Sequence, residues 1–176
     1  MGDGSGDLQI PWQVYFGKFF YAVSILDVGA GIGKSKPRLQ YNLNAVVTQD
    51  INPIREGLVD TIKPIEEITT EFDYVVSFDV IEHVENWESF LKEKKRLAIK
   101  GSLDTTPNWH MYPTTWHFTA VQFYDMYYTI FNDDYEYRYF FRIRGNGLDY
   151  IEETSKSIFL DDKTTSAYGL LATKRS

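Results

Sequence analysis

A glycine-rich loop directly after a short apolar run constrains the fold of this chain more than any other feature. The run Ser24–Val28 stops at Gly29, and Gly31 and Gly33 follow at every second position. Glycine has no Cβ, so a backbone built from it can approach a ligand closely. A helix that follows such a loop points its first N–H groups at the same place. The pattern therefore predicts a buried strand, a ligand-binding turn and then a helix.

Three classes of nucleotide-like ligand compete for this loop. A nucleoside triphosphate site would need its first glycine at the position of Val28. A dinucleotide site would need its third glycine at the position of Lys34. Neither motif has a reason to place an acid at Asp27. The third class of ligand is S-adenosylmethionine. A triphosphate-binding protein that uses Gly33-Lys34-Ser35 remains the less favoured alternative.

Strand-like and helix-like segments alternate along most of the chain. Short apolar runs predict strands at residues 24–28, 45–48, 74–78 and 102–106, and later runs predict strands at 135–143 and 166–173. Apolar residues at helical spacing predict helices at 12–23, 87–98 and 120–131. The polar stretch 145–165 reads as a long loop. Strands that alternate with helices predict an α/β fold with a parallel sheet.

Length and composition narrow the class of protein further. The 176 residues suit one domain, taken as 11–176 after a flexible N-terminal arm at 1–10. A net charge of −7 argues against an extended nucleic-acid footprint, because nucleic-acid binders carry basic stripes. The absence of Cys excludes disulfides and thiol catalysis. No apolar run reaches membrane-spanning length and no signal peptide is evident, so we expect a cytoplasmic protein without a membrane partner.

The segment Leu26–Gly33 resembles the first motif of class I S-adenosylmethionine-dependent methyltransferases. The resemblance continues through Phe72–Val84 and Thr105–Asn108, so that matches run in the expected order from about residue 24 to 130. It implies a Rossmann-like, seven-stranded, mostly parallel sheet with an antiparallel last strand and helices on both faces. The stretch between Asp50 and Tyr74 is short for a helix plus a strand. Only Thr61–Glu66 can represent the third strand, so this is a trimmed member of the fold.

The same resemblance implies which residues bind S-adenosyl-L-methionine. Asp50 lies 17 residues after Gly33, near the offset of about 20 at which an acid meets ribose hydroxyls in the related dinucleotide fold. One carboxylate can accept from both hydroxyls. Asp27 as a loop-capping acid and Asp50 as a turn residue are the alternatives. The predicted cofactor-binding residues are Asp27, Gly29, Ala30, Gly31, Gly33, Asp50, Ile51, Asp79 and Val80.

Asp79, Glu82 and His83 have i, i+3, i+4 spacing, which would place them on one face of a helix. Two carboxylates and an imidazole can hold a divalent metal: Mg²⁺ or Mn²⁺ suits the oxygens, and the imidazole leaves Zn²⁺ or Fe²⁺ open. From the residues alone, His117 or His110 could supply a fourth ligand. The cluster resembles that of small-RNA 2′-O-methyltransferases and ubiquinone-biosynthesis O-methyltransferases, and the resemblance adds His117 as a fourth ligand. The alternative is a capping box, in which Asp79 caps a helix and Glu82 reaches back to it.

An aromatic segment follows the predicted strand at 102–106. Trp109, His110, Tyr112 and Trp116 are predicted to line the substrate pocket, although such clusters are core packing in most proteins. His83 or His117 is the predicted catalytic base for an oxygen acceptor. The predicted function is methyl transfer to an oxygen of a small molecule or of a nucleic-acid or sugar end. A non-catalytic protein that binds S-adenosylmethionine or S-adenosylhomocysteine is the alternative.

Overall fold

The protein is built around one seven-stranded sheet. The computed structural model describes residues 12–31, 33, 35–51, 59–108, 116, 118–144, 149–162 and 165–176. The strands are β1 (Ser24–Val28), β2 (Ala45–Gln49), β3 (Phe72–Phe78), β4 (Ala98–Pro107), β5 (Tyr135–Arg144), β6 (Asp149–Thr154) and β7 (Ala167–Lys174). Their order across the sheet is β2-β1-β3-β4-β7-β5-β6.

The first four strands are parallel, as the apolar runs predict. β1 pairs with β2 and β3, and β3 pairs with β4. Their central residues, such as Leu26, Val76 and Leu103, are fully buried because helices cover both faces. Parallel strands end at one edge, so Val28, Gln49, Phe78 and Pro107 bring the loops that follow them to the same side of the sheet.

Helices divide between the two faces of the sheet. Helix α1 (Trp12–Phe19) contacts the short helix α2 (Lys36–Leu39), and its Trp12 and Phe16 pack on one face with Phe140. On the other face lie α3 (Trp87–Leu97), α4 (Ala120–Phe131) and α5 (Lys156–Asp161), whose buried residues include Leu91, Phe123 and Phe159. Helix α1 ends at Phe19, four residues before the predicted end.

The antiparallel end of the sheet confirms one expectation and corrects another. β7 is antiparallel to both of its neighbours, β4 and β5. The predicted loop at 145–165 is wrong, because it contains β6 and α5. β6 is an edge strand that pairs only with β5 among the described strands. Its alternate residues face solvent, so its sequence is polar and lacks the apolar signal of an inner strand.

The expected third strand of the family is reduced to one isolated parallel bridge between Gln49 and Thr61. Asp60 secures this stub, since its carboxylate accepts from the backbone N–H and the hydroxyl of Thr48 at 2.8 and 2.9 Å. The next turn, Ile65–Glu67, is 3₁₀ helical. The sheet therefore keeps seven strands only because β6 is added at its opposite edge.

None of the helices in the described ranges is both long enough and apolar enough to cross a membrane.

Candidate active site

The glycine loop lies at the carboxyl edge of the sheet, immediately after β1. Gly29, Gly31 and Gly33 have φ of +70°, +62° and +70°. Side chains at these left-handed positions would be strained, which is the reason for glycine at each. A Cβ on Gly29 would also lie 2.7 Å from a methyl carbon of Val80. Val80 follows β3, so the residue after that strand packs closely against the glycine loop.

Asp27 is buried directly beneath the loop, 1% exposed. Ser35 donates its hydroxyl to Oδ2 of this carboxyl. Oδ1 has no hydrogen-bond partner among the described residues. Burial raises the pKa of Asp27 to about 7, while the Ser35 hydrogen bond and the Lys94 charge oppose the shift. Ser35 therefore satisfies one oxygen of this acid, and the other oxygen is buried without a partner among the described residues.

Residues at the end of β2 accept hydrogen bonds from the backbone of the glycine loop. Asp50 Oδ2 accepts from the N–H of Gly31 at 2.7 Å. Gln49 accepts from the N–H of Gly29 through its side chain at 3.3 Å and from Ala30 through its carbonyl at 2.9 Å. Gln49 is not among the predicted site residues. The sequence signal for it is a polar amide at the end of an apolar strand, and in the structure its side chain is buried, 2% exposed. Ile51, which follows Asp50, is 67% exposed.

Asp79 stands in a strained turn after β3, with φ of +55°. Its N–H donates to the Thr105 hydroxyl at 3.0 Å, and that hydroxyl donates to Asp79 Oδ1 at 2.9 Å. Burial raises the pKa of Asp79, against the nearby charge of Arg142. The capping-box interpretation is wrong, because the 3₁₀ turn Ile81–His83 has no side-chain cap.

The predicted placement of Asp79, Glu82 and His83 on one helix face is also wrong, because only a 3₁₀ turn follows the strand. Glu82 is buried, 2% exposed, and its Oε1 is 3.9 Å from His83 Nε2. Burial raises the pKa of Glu82 to about 8, and the Asp79 charge adds to the shift. Within the described ranges no three acidic or histidine side chains form a metal site. The fourth predicted ligand, His117, lies outside them, so the metal stays a prediction.

An open cleft of about 580 Å³ lies beside this turn. Trp116 forms part of it, 40% exposed, and its indole N–H donates to the Val84 carbonyl at 2.7 Å. Its backbone N–H donates to the Glu82 carbonyl at 3.0 Å. The remaining lining residues are Glu85, Asn86, Trp87 and Glu88. His83 is half exposed at the same turn, with 58% of its side chain accessible. Trp116 is therefore close to the predicted base.

Trp109, His110 and Tyr112 lie outside the described residues, as do His117 and Lys34. Their predicted roles as substrate wall, catalytic base and triphosphate ligand remain predictions.

A buried polar network that the sequence analysis did not find lies under the site. Lys94 of α3 forms an ion pair with Asp104 of β4 at 2.6 Å, and both side chains are fully buried. Ser77 and Tyr127 donate their hydroxyls to the two oxygens of Asp104. Burial lowers the pKa of Lys94, whereas Asp104 holds it up. Lys94 falls at an apolar-face position of its helix, and a lysine at such a position is itself a sequence signal for a buried partner.

A comparison with models of protein families shows the family of this chain. A model described as "Methyltransferase domain" matches residues 12–112, more than half of the chain. The chain belongs to this methyltransferase domain family. The match includes the glycine loop, the β2 end and the Asp79–His83 turn. A comparison with curated protein sequences gives no match.

Solved structures with the same fold are methyltransferases with distant sequences. A SAM-dependent methyltransferase from Thermotoga maritima has a TM-score of 0.69 at 12% identity, and the alignment covers 93% of this chain and 88% of that one. Magnesium protoporphyrin IX methyltransferase from Synechocystis, with bound S-adenosylmethionine, gives 0.62 at 13%, covering 93% and 75%. The small RNA methyltransferase HEN1 gives 0.65 at 15%, covering 93% of this chain and 24% of that one.

The described residues fit S-adenosylmethionine as the cofactor of this methyltransferase fold. The loop lacks Cβ atoms where a ligand would approach, and Asp27 keeps a buried acceptor atom beside it. Two acids, Asp27 and Asp50, suit a ligand that carries a sulfonium, an ammonium and ribose hydroxyls.

Proposed function

We propose that this methyltransferase transfers a methyl group to an oxygen, either of a small molecule or of a terminal hydroxyl on a nucleic acid or sugar. The observation that supports it best is the pair of sites at one sheet edge. The glycine loop with Asp27 and Asp50 forms the first, and the Glu82–His83 turn with the Trp116 cleft forms the second. Such an edge is where α/β sheets bind their ligands.

In this proposal the chain's own residues bind, align and deprotonate. When bound, the cofactor supplies an electrophilic methyl group on its sulfonium. Asp27 and Asp50 bind the cofactor at the loop, and the Val80 side chain packs against Gly29. His83 would accept the proton that the acceptor hydroxyl loses when its oxygen takes the methyl carbon from sulfur, and S-adenosylhomocysteine would be the leaving product. Trp116 and Trp87 shape the acceptor side and help to exclude water.

Calorimetric titration with S-adenosylmethionine tests the cofactor site. Asp50→Ala removes a carboxylate acceptor, and we expect affinity to fall about ten-fold or more, since hydrogen bonds to charged groups contribute roughly 1.5–3 kcal/mol. Asp73→Ala is the matched control. Asp73 also accepts from a β1 N–H, that of Ser24 at 2.9 Å, but at the amino end of the strand. Equal affinity in wild type and Asp50→Ala would refute the ribose assignment.

Radiolabelled methyl transfer to a panel of hydroxyl-bearing acceptors tests the reaction itself. We expect a turnover that His83→Ala reduces by about 10²-fold or more, as for loss of a general base. The same assay with EDTA, followed by Mg²⁺ or Mn²⁺, tests the predicted metal. Turnover insensitive to EDTA would remove the metal. Tight cofactor binding without any transfer across the panel would favour the non-catalytic alternative.

A further inference from the structure

Arg142 is a buried cation with no ion-pair partner among the described residues. It is 7% exposed, and its Nε is fully buried without a hydrogen-bond partner in that part of the chain. Taking a charged group out of water costs several kcal/mol unless a partner compensates it. Another arginine on the same strand is a contrast. Arg138 makes two hydrogen bonds to Glu153, at 2.7 and 2.6 Å, and lies over the Phe19 ring.

The position of Arg142 on β5 places it on the α1 face of the sheet at the carboxyl edge. Phe140, two residues earlier, packs with Trp12 and Phe16 of α1, and side chains alternate along a strand. β4 and β5 both run antiparallel to β7, so they end at the same edge. Arg142 pairs with Ala167, which pairs in turn with Pro107 at the end of β4.

A second unpartnered donor among the described residues lies on the same face of the sheet. Trp12 Nε1 is buried without a hydrogen-bond partner among the described residues, in a side chain only 1% exposed. The Trp12 ring is 3.2 Å from where a Cβ on Gly169 would lie. Gly169 pairs with Phe140 and Ala167 with Arg142, so the backbone position that the Trp12 ring covers and that of Arg142 are two residues apart along one face, about 7 Å.

Arg142 also belongs electrostatically to the candidate active site. Its positive charge acts on Asp79 against the rise in the pKa of that carboxyl. β5, which carries Arg142, lies on the side of β3 away from β2, whose end carries Asp50. Two unpartnered donors, one of them a cation, form a receptor for a negatively charged group.

We propose that Arg142, with Trp12 Nε1 on the same face of the sheet, binds an anionic group of the methyl acceptor, a carboxylate or a phosphate. This inference rests on the proposed function, because it assigns a substrate class to the same edge of the sheet. A planar guanidinium matches both oxyanions with two parallel hydrogen bonds. The acceptor would then carry its reactive hydroxyl and its anion in one molecule.

Thermal unfolding of the ligand-free protein tests whether Arg142 is uncompensated. Arg142→Met keeps the volume and removes the charge, so we expect Tm to rise by about 2–4 °C. Arg138→Met is the matched control on the same strand and face, and we expect it to lower Tm because a paired, stacked side chain is lost. A fall in Tm for Arg142→Met as large as for Arg138→Met would overturn the proposal.

Calorimetric binding of three probes tests the ligand class. Benzoate, phenyl phosphate and the neutral benzamide are titrated into protein saturated with S-adenosylhomocysteine. We expect at least one anion to bind about ten-fold or more tightly than benzamide, and the tighter anion identifies carboxylate or phosphate as the source. Arg142→Met should abolish that difference, and Arg142→Lys, which lacks the planar fork, should keep only part of it.

Equal affinity of all three probes, or a preference that survives Arg142→Met, would overturn the inference. Binding of S-adenosylhomocysteine should be unchanged in both Arg142 variants. If the wild type fails to bind S-adenosylhomocysteine, the proposed function fails instead. The same anion comparison on the unliganded protein then still decides whether Arg142 is an anion receptor.

Discussion

At the scale of single residues, the glycine loop depends on one close approach. Gly29→Ala would place a methyl group 2.7–2.8 Å from both Val80 methyl carbons, at a left-handed φ. We expect a loss of about 1–3 kcal/mol in unfolding free energy and a clear loss of cofactor affinity. Chemical denaturation and calorimetry measure the two effects. The double variant Gly29→Ala/Val80→Ala should recover part of each loss; no recovery would exclude the Val80 contact as the cause.

We expect Asp27 to make the affinity for the cofactor depend on pH. Its pKa of about 7 in the folded protein means that it is largely protonated at pH 6 and ionised at pH 8. A cationic ligand favours the ionised form, so we expect affinity for S-adenosylmethionine to rise with pH through about 7 and then level off. Calorimetry from pH 6 to 8 measures this rise. Asp27→Asn should bind more weakly and with a flatter profile, and an unchanged slope in this variant would assign the titration to another group.

At the scale of elements, the ion pair of Lys94 and Asp104 joins α3 to β4 beneath the site. Lys94→Met leaves Asp104 buried without its cation, and we expect a loss of about 3–5 kcal/mol in unfolding free energy, measured by urea denaturation. Lys92→Met is the control on the same helix. Lys92 pairs with Glu88 on the surface, so its loss should cost about 0.5 kcal/mol or less.

A double variant that also replaces Asp104 tests whether the loss comes from leaving that carboxylate without its cation. Lys94→Met/Asp104→Leu removes both charges, and we expect it to be more stable than Lys94→Met alone. A double variant less stable than the single one would mean that Asp104 acts chiefly through Ser77 and Tyr127, the other two residues that donate to it.

The elements were predictable where their burial was complete. The inner strands around Leu26 and Val76 are apolar on both faces, so their sequence signal is strong. β6 and α5 were missed because an edge strand has one solvent-facing side and α5 is only six residues long. The i, i+3, i+4 spacing of Asp79, Glu82 and His83 predicts a helix, whereas the structure has a 3₁₀ turn of three residues. The spacing alone does not distinguish the two, because both place residues three apart on neighbouring turns.

At the scale of the whole molecule, the net charge of −7 disfavours binding to an extended nucleic acid. Two acids, Glu85 and Glu88, line the cleft beside Trp116. Phosphate contacts from Lys and Arg supply most of the non-specific affinity for nucleic acids. We therefore expect a fluorescent 20-nucleotide RNA to bind with Kd above about 10 μM at 150 mM salt, measured by anisotropy. A steeply salt-dependent Kd below 1 μM would instead support an extended RNA footprint.

The sequence by itself determined the ligand class and the trimmed α/β fold, because a strand, a glycine loop and an acid at the next strand end are local in the chain. The tertiary structure decided which polar groups have partners. Asp27 and Asp104 are both buried acids, yet Asp104 is paired by Lys94, whereas Asp27 keeps one oxygen without a partner among the described residues. Arg138 and Arg142 lie on the same face of one strand, but of these two only Arg138 meets a carboxylate of the described residues within ion-pair distance. Such partners come from residues far apart in the chain, and only the packing of the sheet brings them together.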